Sequence, residues 1–122
     1  MEIRIKRVYE PAAPDDGTRL LVDRLWPRGI KKVDLSFDDW PKCLCPSAEA
    51  RKAFGHKAEN FEWFAGAYTA ELDENPEAAA YVEKLREQNP QVITLLYAAK
   101  DPQVNHARVL KRWLEQRLGV SA

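Results

Sequence analysis

The chain has 122 residues, and nineteen Lys and Arg balance nineteen Asp and Glu, for a formal charge of zero at pH 7. With 45% hydrophobic and 31% charged residues, the composition excludes a disordered chain and fits one α/β domain over residues 1–122, large enough to stand without staples. The neutral total argues against a general nucleic-acid binder but leaves room for a local basic patch, and no run approaches the ~18 apolar residues of a membrane helix.

The opening Met1-Glu2-Ile3-Arg4-Ile5-Lys6 alternates charges with apolar residues. No signal-peptide core is expected there, and the protein is expected in the cytoplasm. The same alternation, with Val8 and Tyr9, predicts a first strand over residues 2–9. Pro11, Pro14 and Gly17 punctuate a loop. Arg19 to Leu25 holds a short continuous apolar run, the pattern of a strand covered on both faces, and Trp26-Pro27-Arg28-Gly29 ends it abruptly. Val33, Leu35 and Phe37 alternate and predict either a strand or an irregular edge segment.

Ser47 is placed to cap a short helix ending near Gly55. Phe61, Phe64, Tyr68 and Leu72 recur at helical spacing from about Glu59. Asn75-Pro76-Glu77 restarts a helix with a cap, a first-turn proline and an acid at the positive dipole end. Its inner face is Ala78, Val82 and Leu85, and Asn89-Pro90 closes it. Val92-Ile93-Thr94-Leu95-Leu96-Tyr97 is the strongest strand signal in the chain. A last helix is expected to be capped by Asp101-Pro102, to bury Leu110, Trp113, Leu114 and Leu118, and to end at Gly119. The class is α/β: a mostly parallel sheet flanked by helices.

Ligands of open parallel sheets bind beyond the carboxyl ends of the strands. Two apolar strands here run into polar clusters, Asp23-Arg24-Leu25-Trp26-Pro27-Arg28-Gly29 and Tyr97 through His106. If the strands are parallel, both clusters open on one edge, beside the free N–H groups of the last helix. The expected ligand is therefore a small anion, a phosphate or carboxylate. Arg24, Arg28 and Lys42 would hold it, with Tyr97 and Asn105 around it. His106 in the first helical turn, or Asp101, would carry a proton if the protein is a hydrolase or transferase. The bland alternative is that Arg24 and Arg28 pair with Asp23 or Asp101 and tie loops together. Asp101 carries a conflict of its own, since a capping carboxylate would occupy the site an anion needs.

Cys43 and Cys45 are the only cysteines. Two thiols at this spacing, without converging histidines, do not make a zinc site, and no metal or cofactor is called for. His56 follows Gly55 at a helix end, where a structural role is the stronger reading. There is no phosphate-cradling glycine loop, no dinucleotide fingerprint, no zinc-protease helix and no nucleophile elbow. A rival reading is a non-enzymatic protein-interaction or nucleic-acid-binding module using Arg28, Lys31, Lys32 and a basic strip of Arg108, Lys111 and Arg112. A third is that these motifs maintain the fold alone. Nothing in the residues fixes an oligomeric state.

Three segments carry a family resemblance: Asp23 to Gly29, Thr94 to Asp101, and Asn105-His106-Ala107. With Ile5 to Tyr9, Pro46-Ser47, Phe54-Gly55-His56, Tyr68 and Glu71-Leu72, they resemble the bacterial YeaO-like family, part of a wider group named only as a domain of unknown function (number 488). The resemblance implies a small cytosolic α/β protein and no settled activity. In the wider group a Cys-His-Arg-like triplet stands near Asn105-His106-Ala107; the histidine is shared here and the cysteine is not. The family pattern before Pro46 reads Lys-Asp-Leu-Ala, where this chain has Lys42-Cys43-Leu44-Cys45.

Overall fold

The computed structural model describes residues 1–120. Three strands, β1 (Glu2–Arg7), β2 (Thr18–Leu21) and β3 (Val92–Tyr97), form a wholly parallel sheet in the order β1-β3-β2. Ile3 lies beside Ile93 and Ile5 beside Leu95, while Leu20 lies beside Leu95 on the other flank. Side chains alternate across a strand, so this register sorts two faces. One carries Ile3, Ile5, Leu20, Val22, Ile93, Leu95 and Tyr97; the other carries Arg4, Lys6, Val8, Arg19, Leu21, Thr94 and Leu96.

The first face meets all four helices, α1 (Ala48–Phe54), α2 (Phe61–Glu74), α3 (Pro76–Gln88) and α4 (His106–Leu118). Their buried stripes, including Phe54, Phe64, Tyr68, Val82, Leu85, Leu110, Trp113 and Leu114, make one continuous core with it. The helices thus flank the sheet from one side only. The second face is covered by irregular chain. Val8, Leu21 and Leu96 pack under Leu35, with Trp26, Ile30, Phe37 and Trp40 around them. β3 is therefore apolar at almost every position because it is covered on both faces, as the unbroken run implies.

Several local signals act as the sequence implies. Ser47 Oγ accepts from the Ala50 N–H and Gly55 closes α1 in the left-handed region. Asn75 caps α3 through the Glu77 N–H, ahead of Pro76. Gly119 ends α4 at φ 69. At Gly17 (φ 65) an added Cβ would come within 2.8 Å of the Val92 Cβ and collide with its carbonyl, so the turn into β2 needs glycine.

Two expectations are corrected, and one open alternative is decided. The second strand leaves the sheet at Leu21 instead of running to Leu25; Leu25 is 64% exposed and has no face to cover. The Val33–Phe37 alternation forms no strand. It is the irregular edge segment: a 3-10 turn (Lys32–Asp34), after which the Asp38 N–H donates to the Arg19 carbonyl and Asp39 bridges Leu20 at the edge of β2. Asp101 does not cap the last helix. Its Oδ1 accepts from the Gln103 and Val104 N–H groups, closing a turn before the helix, and Asn105 is the cap.

Candidate functional site

Because the sheet is parallel, the chain leaves β2 and β3 at the same edge. The loops that follow are pinned by backbone-directed bonds. The Val22 N–H donates to the Leu96 carbonyl. The Ala98 N–H then donates to Asp23 Oδ2 at 3.1 Å, tying the two exits together. Trp40 Nε1 donates to the Asp23 carbonyl (2.7 Å) and Trp26 Nε1 to the Ile30 carbonyl (2.6 Å). The two indoles pack edge-on with centroids 5.6 Å apart. Tyr9 Oη donates to the Arg28 carbonyl, and Arg7 donates to the Ala98 and Ala99 carbonyls. The Asp23–Gly29 loop is thus pinned by its own Trp26, by Trp40 from outside it, by its buried proline and by the turn at Gly29 (φ 78).

α1 closes the opposite wall. Glu71 of α2 accepts from both the N–H and the Oγ of Ser47, at 3.0 and 2.6 Å, which fixes where α1 starts. Arg51 and Lys52 project from its last turn. His56 follows Gly55 and is one of two non-glycine residues at positive φ among the described residues, with its ring 5.8 Å from that of Phe54. Between the walls lies a cavity of about 540 Å³, within the usual size range for small-molecule sites.

Arg24, Arg28, Arg51 and Lys52 line it, with a single carboxylate, Asp23. Arg24 donates to the Pro46 and Cys45 carbonyls, which uses part of its fork. None of the four cations forms an ion pair among the described residues. The apolar part of the wall includes Leu25, Trp26, Phe54 and Phe64. No Ser, Thr or Cys lines the cavity among the described residues.

His106 and Asp23 meet at its floor. The imidazole Nε2 sits 3.0 Å from the Val22 carbonyl and 3.0 Å from Asp23 Oδ1. A ring nitrogen between two acceptor oxygens carries the proton. The hydrogen bond is directed to the carbonyl, and the carboxylate oxygen lies at the same distance without hydrogen-bond alignment. Oδ1 of Asp23 is accordingly buried with no hydrogen-bond partner, as is Nε of Arg51. Such orphaned groups cost about 1–3 kcal/mol each, and more when charged.

Of the residues anticipated from sequence, Arg24, Arg28, Asn105 and His106 come together on this cavity. Asn105 is fully buried; its Oδ1 accepts from the Arg108 N–H and its Nδ2 donates to the Asp101 carbonyl. Lys42, Tyr97 and Asp101 are not among the lining residues. The Lys42 ammonium lies 4.5 Å over the Trp40 ring. Tyr97 is buried on the helix side of the sheet, where burial raises its phenol pKa. Asp101 is committed to its turn. Asp23 was read from sequence only as a loop tie, and Arg51 and Lys52 carried no signal of their own. Burial pushes the Cys45 thiol up to about 12, leaving it an inert core residue. No group of three or more metal-ligating side chains occurs among the described residues.

The basic strip of α4 is partly neutralised. Lys111 pairs with Glu115 at 3.0 Å, and Arg108 donates to the Pro102 carbonyl. No described helix is long and apolar enough to cross a membrane.

Residues 2–122 match the family described as the inactive DUF488-N3 subclade. The chain is 47% identical to the uncharacterised protein YeaO of Escherichia coli K12 over 114 residues, 93% of this chain and 97% of the relative. The chain belongs to the YeaO-like DUF488 family. Uncharacterised proteins of Mycobacterium bovis and Mycobacterium tuberculosis are 40% identical over 115 residues, 94% of this chain and 95% of theirs. No solved structure matches the chain. Most segments that carried the YeaO-like resemblance border this one cavity or anchor its walls: Asp23 to Gly29, Pro46-Ser47, Phe54 to His56, Glu71, Ala98-Ala99 and Asn105-His106.

Proposed function

We propose that this YeaO-like protein binds a small anion, a phosphate or carboxylate, in the cavity at the carboxyl ends of β2 and β3. One observation carries the reading. Arg24, Arg28, Arg51 and Lys52 converge on a single cavity without a paired carboxylate, in a chain whose total charge is zero. Elsewhere among the described residues the more buried cations are paired, Lys6 and Arg19 with Asp16 and Lys111 with Glu115, while unpaired ones such as Lys31, Lys32 and Lys57 lie scattered on the surface. Uncompensated guanidinium groups in a partly enclosed site favour an anionic occupant, which they can grip in a bidentate fork.

Binding without covalent chemistry is favoured over hydrolase or transferase activity. The cavity offers no serine, threonine or cysteine nucleophile among the described residues. Asn105, near the place where the wider group carries a cysteine, has its amide oxygen committed to capping α4 and its amide nitrogen to the Asp101 carbonyl. The Nε2 proton of His106 is held by the Val22 carbonyl. The family description as an inactive subclade agrees with this reading.

Thermal melting of the wild type and of Arg28→Ala in inorganic phosphate, pyrophosphate and acetate tests it. At about 100 times its dissociation constant a ligand adds roughly 2.7 kcal/mol, a rise on the order of ten degrees in a domain this size. The expected result is a rise with at least one anion that is lost in a folded Arg28→Ala. Identical melting in every anion and in chloride would refute the reading.

A further inference from the structure

The cations account for an anion in this cavity, but not for the rest of its accessible lining. Among the described residues five large hydrophobic side chains are exposed, and two of them, Tyr9 (47%) and Leu25 (64%), line this one cavity. The half-buried indole of Trp26 lines it too. Single exposed apolar side chains are ordinary on a surface, whereas several gathered on one concavity mark a place where apolar matter docks. Phe54 and Phe64 belong to the same lining but are already covered by the protein. The apolar surface that a ligand can still remove from water is therefore that of Tyr9, Leu25 and Trp26.

The two rings are held in place before anything binds. Tyr9 Oη donates to the Arg28 carbonyl at 2.9 Å, and the Arg7 guanidinium lies 4.8 Å over the Tyr9 ring. Trp26 Nε1 donates to the Ile30 carbonyl, and its indole packs against Phe37 and Trp40. Fixed walls lower the ordering cost of binding. Leu25 and Trp26 also stand in the chain between two of the cations, Arg24 and Arg28, so charge and apolar surface alternate on one short loop. A bare phosphate fills only a small part of a cavity of about 540 Å³, a size usual for organic ligands.

We infer that the ligand of this cavity is an aromatic acid: a phosphate or carboxylate joined to a flat apolar ring. The inference rests on the anion-binding reading above and deepens it. The anionic group meets Arg28 and Lys52, the two fully exposed cations of the lining. The ring lies against Leu25, Trp26 and Tyr9, where aromatic faces and edges favour a planar partner.

Isothermal titration of the wild-type protein with inorganic, methyl and phenyl phosphate keeps the charged group and varies the body. Acetate and phenylacetate repeat the comparison for a carboxylate, and benzyl alcohol supplies the ring without the charge. In at least one of the two series the ring-bearing acid is expected to bind at least about tenfold more tightly than its ring-free partner, the effect of covering part of a ring and of Leu25. Benzyl alcohol is expected not to bind measurably. Leu25→Ser is expected to shrink the ring preference at least about threefold, whereas Arg28→Ala weakens ring-bearing and ring-free acids alike.

Equal binding of ring-bearing and ring-free acids in both series would overturn the aromatic-acid inference and leave the anion reading standing. So would binding of inorganic phosphate alone. Benzyl alcohol binding as tightly as phenyl phosphate, or binding of no compound at all, would remove both. The wild-type ranking decides the matter even if a variant does not fold.

Discussion

Two aspartates flank β2, and they are treated in opposite ways. Asp16, two residues before the strand, is 4% exposed, and its carboxylate is fully engaged. Lys6 Nζ lies 3.1 Å from both oxygens, the Ala13 N–H donates at 3.0 Å, and Arg19 closes the set. The Asp16 carbonyl also accepts from the Thr94 hydroxyl at 2.6 Å. Asp23, two residues beyond the strand, has one oxygen bound and one left without an aligned donor. A saturated buried carboxylate holds a fold together; an incompletely satisfied one lies beside unpaired cations at the cavity where an anion is proposed to bind. The difference separates a structural clip from the proposed site within seven residues of each other.

The largest effect is expected at the clip. Asp16→Asn leaves Lys6 and Arg19 partly buried without their counter-charge and should cost about 3–5 kcal/mol of unfolding free energy in urea. Anion binding by whatever remains folded should be unchanged. The acid limb carries the same signature. Burial by itself would raise the Asp16 carboxyl pKa, but the Ala13 N–H, Lys6 and Arg19 outweigh it and hold the carboxyl below its ordinary value. A depressed carboxyl contributes its full stability above the unfolded pKa of about 3.9 and loses it as pH falls through the folded value. Wild-type stability should therefore fall steeply with acid below about pH 4, and the Asp16→Asn curve should be flatter there.

Asn105→Ala comes next. It removes the α4 cap and the bond to the Asp101 carbonyl, for about 1–2 kcal/mol. Asn105→Asp should not recover it, because a second carboxylate oxygen would face the Asp101 carbonyl at a fully buried position. At the other extreme, Arg28 is exposed and makes no side-chain bond among the described residues. Arg28→Ala should change stability by less than about 0.5 kcal/mol while abolishing the thermal shift in anions. Destabilisation by Arg28→Ala comparable to that of Asn105→Ala would erase the contrast between clip and site.

The contrast also explains what was legible. β3, the caps at Ser47 and Asn75, and the glycine stops at Gly55 and Gly119 are local events, written in adjacent residues. Arg24, Arg28, Asn105 and His106 follow from one rule about parallel sheets applied to the segments after two strands. Arg51, Lys52 and His56 do not, because they arrive on α1, whose placement depends on the Ser47–Glu71 contact between residues 24 apart. Asp101 misled because Asp101 and Asn105 both have capping chemistry. The chain uses the first for a turn and the second for the helix, and only the backbone path between them distinguishes the two. Leu25 misled because an apolar run says where a strand can be, not where its partner ends.

The most direct test is a titration of the ¹⁵N-labelled protein with inorganic phosphate, followed through backbone amide shifts. Concerted, saturable shifts are predicted at Asp23 to Trp26, Arg28, Gly29, Arg51 to His56, Ala98 and His106, with Asp16 and Gly17 unmoved. Shifts confined to Arg108, Lys111 and Arg112, shifts at the Asp16 clip, or none at all would contradict the assignment of the carboxyl edge as an anion site.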